Sequence, residues 1–383
     1  MNDLVHDLGR GGAGTAVYHG VLARDTGAWT AAHAAARAMA GQAATVDPSS
    51  VGLYRGAPAV AYALDTAGHC AYQSALEELD RKIGPLIAAR LSAAGRRVDS
   101  GHPPRMREYD LIRGLTGLGA YLLRRRAHPD LLDAVLRYLV RLLQQPVTVE
   151  GNSLPGWWTL DGPSGEPDSD WPQGHGNFGM AHGVAGPLAL LALCARAGRT
   201  VPGQQEALVS ACRLLEEWVR PLPTGAAAWP ETITANGWVN GPPTRANLGR
   251  PSWCYGTPGI ARSLQLAALA CGRTDTQRQA EDVLLSCVSD ARQLERLEDA
   301  SVCHGWAGVC LAADRAAADA APGSELPGRL PALRAAFATY VAANALPRDS
   351  GLLTGADGIL LTIHTLNPTH RVGSGWEACL LLN

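Results

Sequence analysis

The sequence predicts an all-α protein, specifically an α/α toroid of about seven inner and seven outer helices. The main observation is a repeat: G-x-x-G followed by an apolar stretch rich in Leu and Ala recurs through the 383 residues, with amphipathic patterns between its copies. The copies are LYRGAPAVAYAL (53–64), LIRGLTGLGAYLL (111–123), MAHGVAGPLALLAL (180–193), WCYGTPGIARSLQLA (253–267), VCHGWAGVCLAA (302–313) and LLTGADGILLTIH (352–364). Each unit is therefore predicted to contain one inner and one outer helix.

The inner helices are predicted from the stretches that follow G-x-x-G, which are apolar nearly all round and so should be buried on most sides. The glycines ahead of them suit a tight turn and close backbone approach, although the first copy has Gly56 with Ala59 in the second glycine position. The outer helices are predicted from segments such as QQEALVSACRLLEEWVR, whose apolar residues recur at i, i+3, i+4 and i+7.

A closed ring is favoured over an open solenoid because polar residues collect at one end of the predicted inner helices. Residues 14–41 are expected to supply a degenerate seventh repeat. Segments 144–178 and 219–252, rich in Gly, Pro and Trp, are expected to be loops or short strands. We therefore expect residues 1–383 to form a single toroid domain, without a separate inserted domain.

Composition excludes several classes of protein. Hydrophobic residues make up 46% and charged residues 18%, which argues against disorder, and the formal net charge of −2 argues against a nucleic-acid surface. The first residues lack the apolar run of a signal peptide, and no apolar run reaches the roughly 18 residues of a membrane span, so a cytoplasmic protein is expected. Nine cysteines without a C-x-x-C pair argue against a disulfide framework.

Alignment of the copies on their first glycine places two columns of residues ahead of the inner helices. The residue just before the glycine is Arg55, Arg113, His182, Tyr255, His304 or Thr354, and the one before that is Tyr54, Ile112, Ala181, Cys254, Cys303 or Leu353. Because the inner helices of a toroid run parallel, all these positions are expected at the same end of the ring.

This register predicts a zinc site made of Cys254, Cys303 and His304. The adjacent Cys303-His304 pair does not have the usual spacing of a zinc finger, but the preceding repeat supplies a second thiol in the same column. Three protein ligands leave one tetrahedral position open, which is typical of a catalytic zinc. The alternative is that both cysteines pack in the core and His304 is a capped histidine.

Other polar residues near the same turns are candidates for chemistry. His182 shares the column of His304 and is predicted to be a fourth ligand or a general acid/base, or else a histidine hydrogen-bonded at a helix start. Asp110, four residues before Gly114, either orients a histidine or caps the following helix. Arg250 either offsets negative charge near the metal or forms a surface salt bridge.

An aromatic group in the long loops is expected to roof the cavity above these turns. It consists of His175, Trp157, Trp158 and Trp171. Direct contact with substrate is the less favoured role for this group.

The motifs YDLIRGLTG, GMAHGVAG, RPSWCYGTPG, SVCHGWAG and GLLTGADG resemble those of the lanthionine synthetase C-like family, the LanC-type cyclases of class I lanthipeptide biosynthesis. The resemblance covers about residues 50–365 and implies an α/α toroid with one zinc ion per chain. It matches Cys254, Cys303 and His304 to the zinc ligands, His182 to the catalytic histidine, and Asp110, Arg250 and Tyr255 to further active-site residues.

The resemblance also implies a reaction, in which cysteine thiols of a dehydrated lanthipeptide precursor add to dehydroalanine or dehydrobutyrine and form thioether rings. A dehydratase is implied as a partner, because another enzyme must make the dehydro residues. Three alternatives stay open: addition of glutathione to dehydroamino acids, a zinc-dependent prenyltransferase on an α/α barrel, and a non-catalytic helical-repeat scaffold that binds peptides. The prenyltransferase is disfavoured because its zinc set is expected to include a carboxylate.

Overall fold

A computed structural model of the protein describes residues 4–241, 248–367 and 373–383, and its helices form two concentric layers. The predicted α/α toroid is confirmed. Within the described residues, the seven inner helices are α1 (Gly12–Thr26), α3 (Ala57–Ala67), α6 (Leu115–Arg125), α8 (Ala185–Arg196), α11 (Thr257–Cys271), α14 (Trp306–Ala318) and α16 (Ala356–Leu366). The outer helices there number six, α2 (Thr30–Ala40), α4 (Gln73–Asp99), α7 (Pro129–Gln144), α9 (Gln204–Trp218), α12 (Thr274–Ser289) and α15 (Leu326–Ala343).

Shorter elements occupy the connections between the layers. They are the helices α5 (Met106–Tyr109), α10 (Ala235–Asn240) and α13 (Ala291–Leu294), 3-10 turns at Cys70–Tyr72 and Trp376–Leu380, and the strands β1 (Val147–Val149), β2 (Asn152–Leu154), β3 (Gly176–Asn177), β4 (Arg220–Pro221), β5 (Ala227–Ala228) and β6 (Thr232–Ile233). The strands pair antiparallel as β1–β2, β3–β6 and β4–β5. Among the described residues, the two long segments predicted as loops or short strands therefore contain all six strands and one short helix.

The two layers follow from the sequence patterns. In α8 every residue from Ala185 to Cys194 is buried, as expected for an inner helix without a polar face. In α7 the buried residues include Leu132, Val135 and Leu139, so only one side of this outer helix faces the core. Although the inner helices are apolar, none of the described helices combines the length and hydropathy needed to cross a membrane.

Backbone hydrogen bonds join neighbouring turns around one end of the ring. From turn to turn, N–H groups donate to carbonyl oxygens in the order Leu111 to Ala181 (3.1 Å), Ala181 to Cys254 (3.0 Å), Cys254 to Cys303 (3.1 Å) and Cys303 to Leu353 (2.9 Å). The Leu353 N–H then donates to the Gly9 oxygen (2.8 Å), and the Leu8 N–H donates to the Tyr54 oxygen (2.9 Å). The first and last repeats are thus joined, and the ring is closed.

The N-terminal repeat is more regular than the sequence interpretation suggested. Helices α1 and α2 form the helix pair expected within residues 14–41, but the turn ahead of α1 begins earlier, at Gly11. Gly11 and Gly14 form a seventh G-x-x-G. The predicted repeat started at residue 14 and therefore left Gly11 out. Arg10 and Gly9 therefore occupy the two columns that the other copies define.

A segment near the end of the chain lies inside the ring. The Tyr54 hydroxyl donates to the Cys379 oxygen (2.8 Å), and the Trp253 ring N–H donates to the Leu380 oxygen (3.0 Å). Because Tyr54 and Trp253 belong to turns of the second and fifth repeats, the segment Trp376–Leu382 spans the interior between them. Its large apolar side chains are buried there, from Trp376 to Leu382.

The second glycine of each G-x-x-G is required by close backbone packing. A Cβ added at this glycine would lie between 1.9 Å (Gly358) and 2.6 Å (Gly186) from the carbonyl oxygen six residues earlier. The same contact occurs at Gly14, Gly117, Gly259 and Gly308. The exception is the copy with Ala59, and its first glycine, Gly56, has a φ of 75°.

Replacing Gly358 with alanine is therefore expected to destabilise the fold by about 1–3 kcal/mol, because the new Cβ forces the Leu352 carbonyl to move. The matched control is Gly95→Ala in α4, where no atom lies within 4 Å of an added Cβ. This control is expected to stabilise the protein by about 0.5–1 kcal/mol. Urea denaturation followed by circular dichroism measures both changes, and equal midpoints for the two variants would contradict the packing explanation.

Candidate active site

Three potential metal ligands meet at the end of the ring where the turns are joined. The ligand atoms of Cys254, Cys303 and His304 all lie within 4.8 Å of one another. Cys254 precedes α11 and Cys303 precedes α14, and the hydrogen bond between their backbones holds the two thiols side by side. Among the described residues no other group of three or more His, Cys, Asp or Glu side chains converges in this way.

The two thiols have different proton affinities. A hydrogen bond from the Cys303 thiol lowers the pKa of Cys254, and the Ser252 hydroxyl, whose oxygen lies 3.6 Å from the Cys254 sulfur, acts in the same direction. The same interaction with Cys254, together with burial, raises the pKa of Cys303. The Cys254 sulfur is therefore the one that loses its proton first, which is the ionisation a metal ligand needs.

Asp299 orients the third potential ligand. Its Oδ2 lies 3.0 Å from Nε2 of His304, and this hydrogen bond raises the pKa of the imidazole. Burial alone would raise the pKa of Asp299, but hydrogen bonds from His304 and Ser301 outweigh burial and hold that pKa well below its ordinary value. Because Nε2 is occupied, Nδ1 is the nitrogen available to a metal, and carboxylates commonly support metal-binding histidines in this way.

A second histidine–carboxylate pair joins the turns of the third and fourth repeats. Nδ1 of His182 is 2.7 Å from Oδ2 of Asp110, a residue that is only 1% exposed. The other oxygen of Asp110 accepts the backbone N–H groups of Arg113 (2.6 Å) and Gly114 (2.7 Å). Asp110 thus caps a turn and also orients His182. Because Nδ1 of His182 is bound to Asp110, Nε2 is the nitrogen available for proton exchange.

Tyr255 and Arg250 lie on opposite sides of Cys254 in the chain and differ in surroundings. The Tyr255 ring centroid lies 5.9 Å from that of His182, and burial raises the pKa of its phenol, so the side chain is an O–H donor. Arg250 is ion-paired with Glu298 at 3.6 Å. The interaction with Cys254 and burial raise the pKa of Cys303, and the charge of Arg250 offsets a part of that rise, so the salt bridge and the electrostatic effect on the thiol coexist.

A cavity of about 540 Å³ opens at this end of the ring. His182, Cys254, Tyr255 and Cys303 line one side of it. Arginines from the first three repeats are among the residues that line the other side. The two thiols and His182 therefore face the same space.

The aromatic group expected to roof the cavity lies elsewhere, so this expectation was wrong. Trp157 and Trp158 are 2% and 0% exposed and belong to the hydrophobic core, and His175 is fully buried. The Trp171 ring packs against His175 at a tilt of 60°, with 5.3 Å between the ring centroids. None of the four lines the cavity among the described residues, because the loop packs its aromatic side chains inward.

Asp299 is the polar neighbour of the thiols that the sequence interpretation missed. A third column contained the signal, since the position six residues before the first glycine is polar in all six aligned copies. Its residues are Ser50, Glu108, Asn177, Arg250, Asp299 and Asp349. Asn177 belongs to the site as well, because its side chain hydrogen-bonds to Tyr255.

The fold and the site together define a closed helical toroid with a thiol–imidazole cluster and an acid/base pair at one end. The sequence of residues 3–381 matches the model of the family described as "Lanthionine synthetase C-like protein". The chain belongs to this family.

Two relatives illustrate the similarity. The nisin biosynthesis protein NisC from Lactococcus lactis subsp. lactis is 27% identical over 243 residues, which cover 62% of this chain and 55% of the relative, so the match spans only about half of that protein. The solved structure of a nisin cyclase superposes with a TM-score of 0.80 at 19% identity, covering 100% of this chain and 93% of the other. At this identity the structural match establishes the shared fold.

Proposed function

We propose that the protein is a zinc-dependent lanthipeptide cyclase that joins cysteine thiols to dehydroalanine or dehydrobutyrine within one peptide. The observation that carries the proposal is the cluster of Cys254, Cys303 and His304, whose two thiols face the same cavity as His182, the partner of Asp110. Family membership and the names of the two relatives, which refer to nisin biosynthesis and cyclisation, support the same reaction.

The donor set fits one zinc ion per chain. Two sulfurs and one imidazole nitrogen are preferred zinc donors, and three of them leave one tetrahedral position for a substrate. The lowered pKa of Cys254 and the Asp299 carboxylate behind His304 prepare the ligands for a cation. When bound there, zinc would supply the chemistry of deprotonating a thiol near neutral pH.

The protein's own residues account for the remaining steps. As the substrate sulfur bonds to the β-carbon of the dehydro residue, the double-bond electrons move towards the α-carbon and its carbonyl. The thiol's proton is released to solvent. We assign to Nε2 of the protonated His182 imidazole the donation of a proton to the α-carbon, so that the peptide regains at carbon the proton that it lost at sulfur and its mass is unchanged. Asp110 fixes the tautomer and direction of that imidazole.

Two further residues would stabilise the negative charge that develops on the carbonyl. The Tyr255 hydroxyl is a protonated donor beside His182, within reach of the same space. Arg250 would act through its electric field, since its guanidinium is paired with Glu298 at the edge of the site.

The proposal is tested by incubating the zinc-loaded protein with a dehydrated, cysteine-containing precursor peptide. The expected result is loss of alkylatable thiol on the peptide without a change in its mass. A parallel reaction contains glutathione, and a peptide that gains the mass of glutathione would favour the alternative thiol addition. Full retention of peptide thiols in both reactions, with no gain of mass in either, would contradict an enzymatic role and favour a peptide-binding scaffold.

The biological setting follows from the proposed reaction. The substrate would be a precursor whose serines and threonines a dehydratase partner has already dehydrated. We further propose that the whole chain acts as a single toroid domain and that it works in the cytoplasm, where precursor peptides are made.

A further inference from the structure

The type of residue that precedes the first glycine of each turn differs between the two halves of the ring. In the fourth, fifth and sixth repeats the residue just before the first glycine is His182, Tyr255 or His304. In the first, second and third repeats the same position is Arg10, Arg55 or Arg113. The turns that hold these arginines are consecutive in the closed ring, so the three side chains form an arc across from the thiols, which we call the arginine arc.

The arginine arc faces the cavity. All three of its side chains are exposed, and all three line the same cavity as His182 and Cys254. Asp7 is the only acidic residue in the described cavity lining, and its Oδ1 already accepts the Arg10 backbone N–H at 2.7 Å.

Two more arginines line this side but are placed differently. The guanidinium of Arg90 donates to the backbone oxygens of Val51 and Arg107, so Arg90 ties two segments of the wall together. Arg107 is exposed at the rim of the cavity. The wall opposite the thiols is therefore strongly cationic.

No close ion pair in the described residues neutralises Arg10 or Arg113, although the Asp7 carboxylate feels the charge of Arg10 at a distance. In the part of the chain that the structure describes, neither side chain forms an ion pair or a side-chain hydrogen bond. Like charges on neighbouring turns repel one another, so this arrangement costs stability unless an anion enters. A guanidinium is also the side chain best suited to bind a carboxylate through two parallel hydrogen bonds.

We propose that the arginine arc binds a carboxylate of the substrate peptide and so orients the peptide across the cavity. The inference rests on the proposed function, because it assumes that the occupant is the peptide whose cysteine reacts. Three arginines on three separate turns present charge along an arc rather than in one pocket, which suits an extended peptide. The carboxylate comes either from an acidic side chain or from the C-terminus of the peptide.

Binding to an unreactive peptide tests the proposal without requiring catalysis. The probe is a synthetic peptide with a neutral fluorescent label, one cysteine, and serine in place of the dehydro residue. Four versions combine glutamate or glutamine in the sequence with a free or amidated C-terminus, which separates the two sources of carboxylate. Fluorescence anisotropy then gives the Kd of each version for the zinc-loaded protein.

The native protein is expected to bind at least one carboxylate-bearing version about tenfold more tightly than the neutral one. The double variant Arg10→Gln/Arg113→Gln is expected to lose this preference while binding the neutral version as before. The matched control is Arg213→Gln, which removes an exposed arginine from the outer helix α9 and is expected to keep the full preference.

Equal binding of all four peptides by the native protein would overturn the arginine proposal. So would a preference for carboxylate that survives in the double variant. These outcomes are separate from the cyclisation assay: a native protein that prefers carboxylates but never consumes peptide thiols would overturn the proposed function while leaving the anion site standing. Circular dichroism of each variant checks that the fold is intact.

Discussion

His182→Ala is expected to slow thioether formation by about 10²–10⁴-fold, the contribution typical of a positioned general acid. The variant removes the only imidazole that is both held by a buried carboxylate and exposed to the cavity among the described residues. The measurement is the initial rate at which a dehydrated peptide loses alkylatable thiol. Zinc content is measured on the same sample and is expected to equal that of the native protein, since His182 lies outside the ligand cluster.

Two comparisons make the His182 result specific. His102→Ala removes an exposed histidine that bonds to Ser100, and it is expected to leave the rate unchanged. Asp110→Asn can still accept the backbone N–H groups of Arg113 and Gly114 while it no longer presents an anion to His182. We expect this positioning variant to lower kcat with little change in KM. A His182→Ala protein that cyclises at the native rate would remove the general acid from the proposal.

The convergence of the thiols could be predicted from the sequence because a closed ring makes equivalent positions neighbours. Cys254 and Cys303 are 49 residues apart, and no local motif joins them, but they occupy the same column of adjacent repeats. The structure shows why the column is reliable: backbone hydrogen bonds run from turn to turn through Ala181, Cys254, Cys303, Leu353 and Gly9, which all stand in that column. The register that glycine packing enforces in the turns also fixes the positions of the ligands.

What the repeat does not encode could not be predicted in the same way. The segment Trp376–Leu382 has no equivalent in other units, and its place inside the ring depends on single contacts such as the hydrogen bond from Tyr54 to Cys379. The segment that contains Trp157 and Trp158 was correctly predicted to include loops. The sequence did not show that these side chains pack into the core and not over the cavity. Burial of an aromatic loop is decided by the whole core, and composition alone does not show it.

The proposed zinc ligands show a different limit of prediction from sequence. Sequence patterns brought three donors to one place, but they did not identify Asp299, whose effect on His304 requires the geometry of the turn. The N-terminal arginine of the cavity, Arg10, was missed for a simpler reason. The seventh G-x-x-G begins at Gly11, and an alignment that starts at residue 14 discards the column in which Arg10 stands.

Cys303→Ala is expected to abolish both zinc binding and cyclisation. The native protein should contain about one zinc per chain, as a site with three protein ligands predicts. Removing one sulfur leaves only Cys254 and His304, and two donors do not retain zinc through dialysis against a chelator. Metal analysis by mass spectrometry gives the stoichiometry directly, and it does not depend on whether a suitable peptide substrate has been found.

The matched control is Cys310→Ala, in the same repeat. Cys310 lies seven residues further along in α14, is 1% exposed, and has a pKa that burial raises, as expected of a thiol that only packs. This variant is expected to lose some stability but to keep its zinc. If both variants retain zinc, Cys303 is not a ligand; if both lose it, the loss reflects damage to the helix. Only loss confined to Cys303→Ala distinguishes a cysteine that binds metal from one that fills the core.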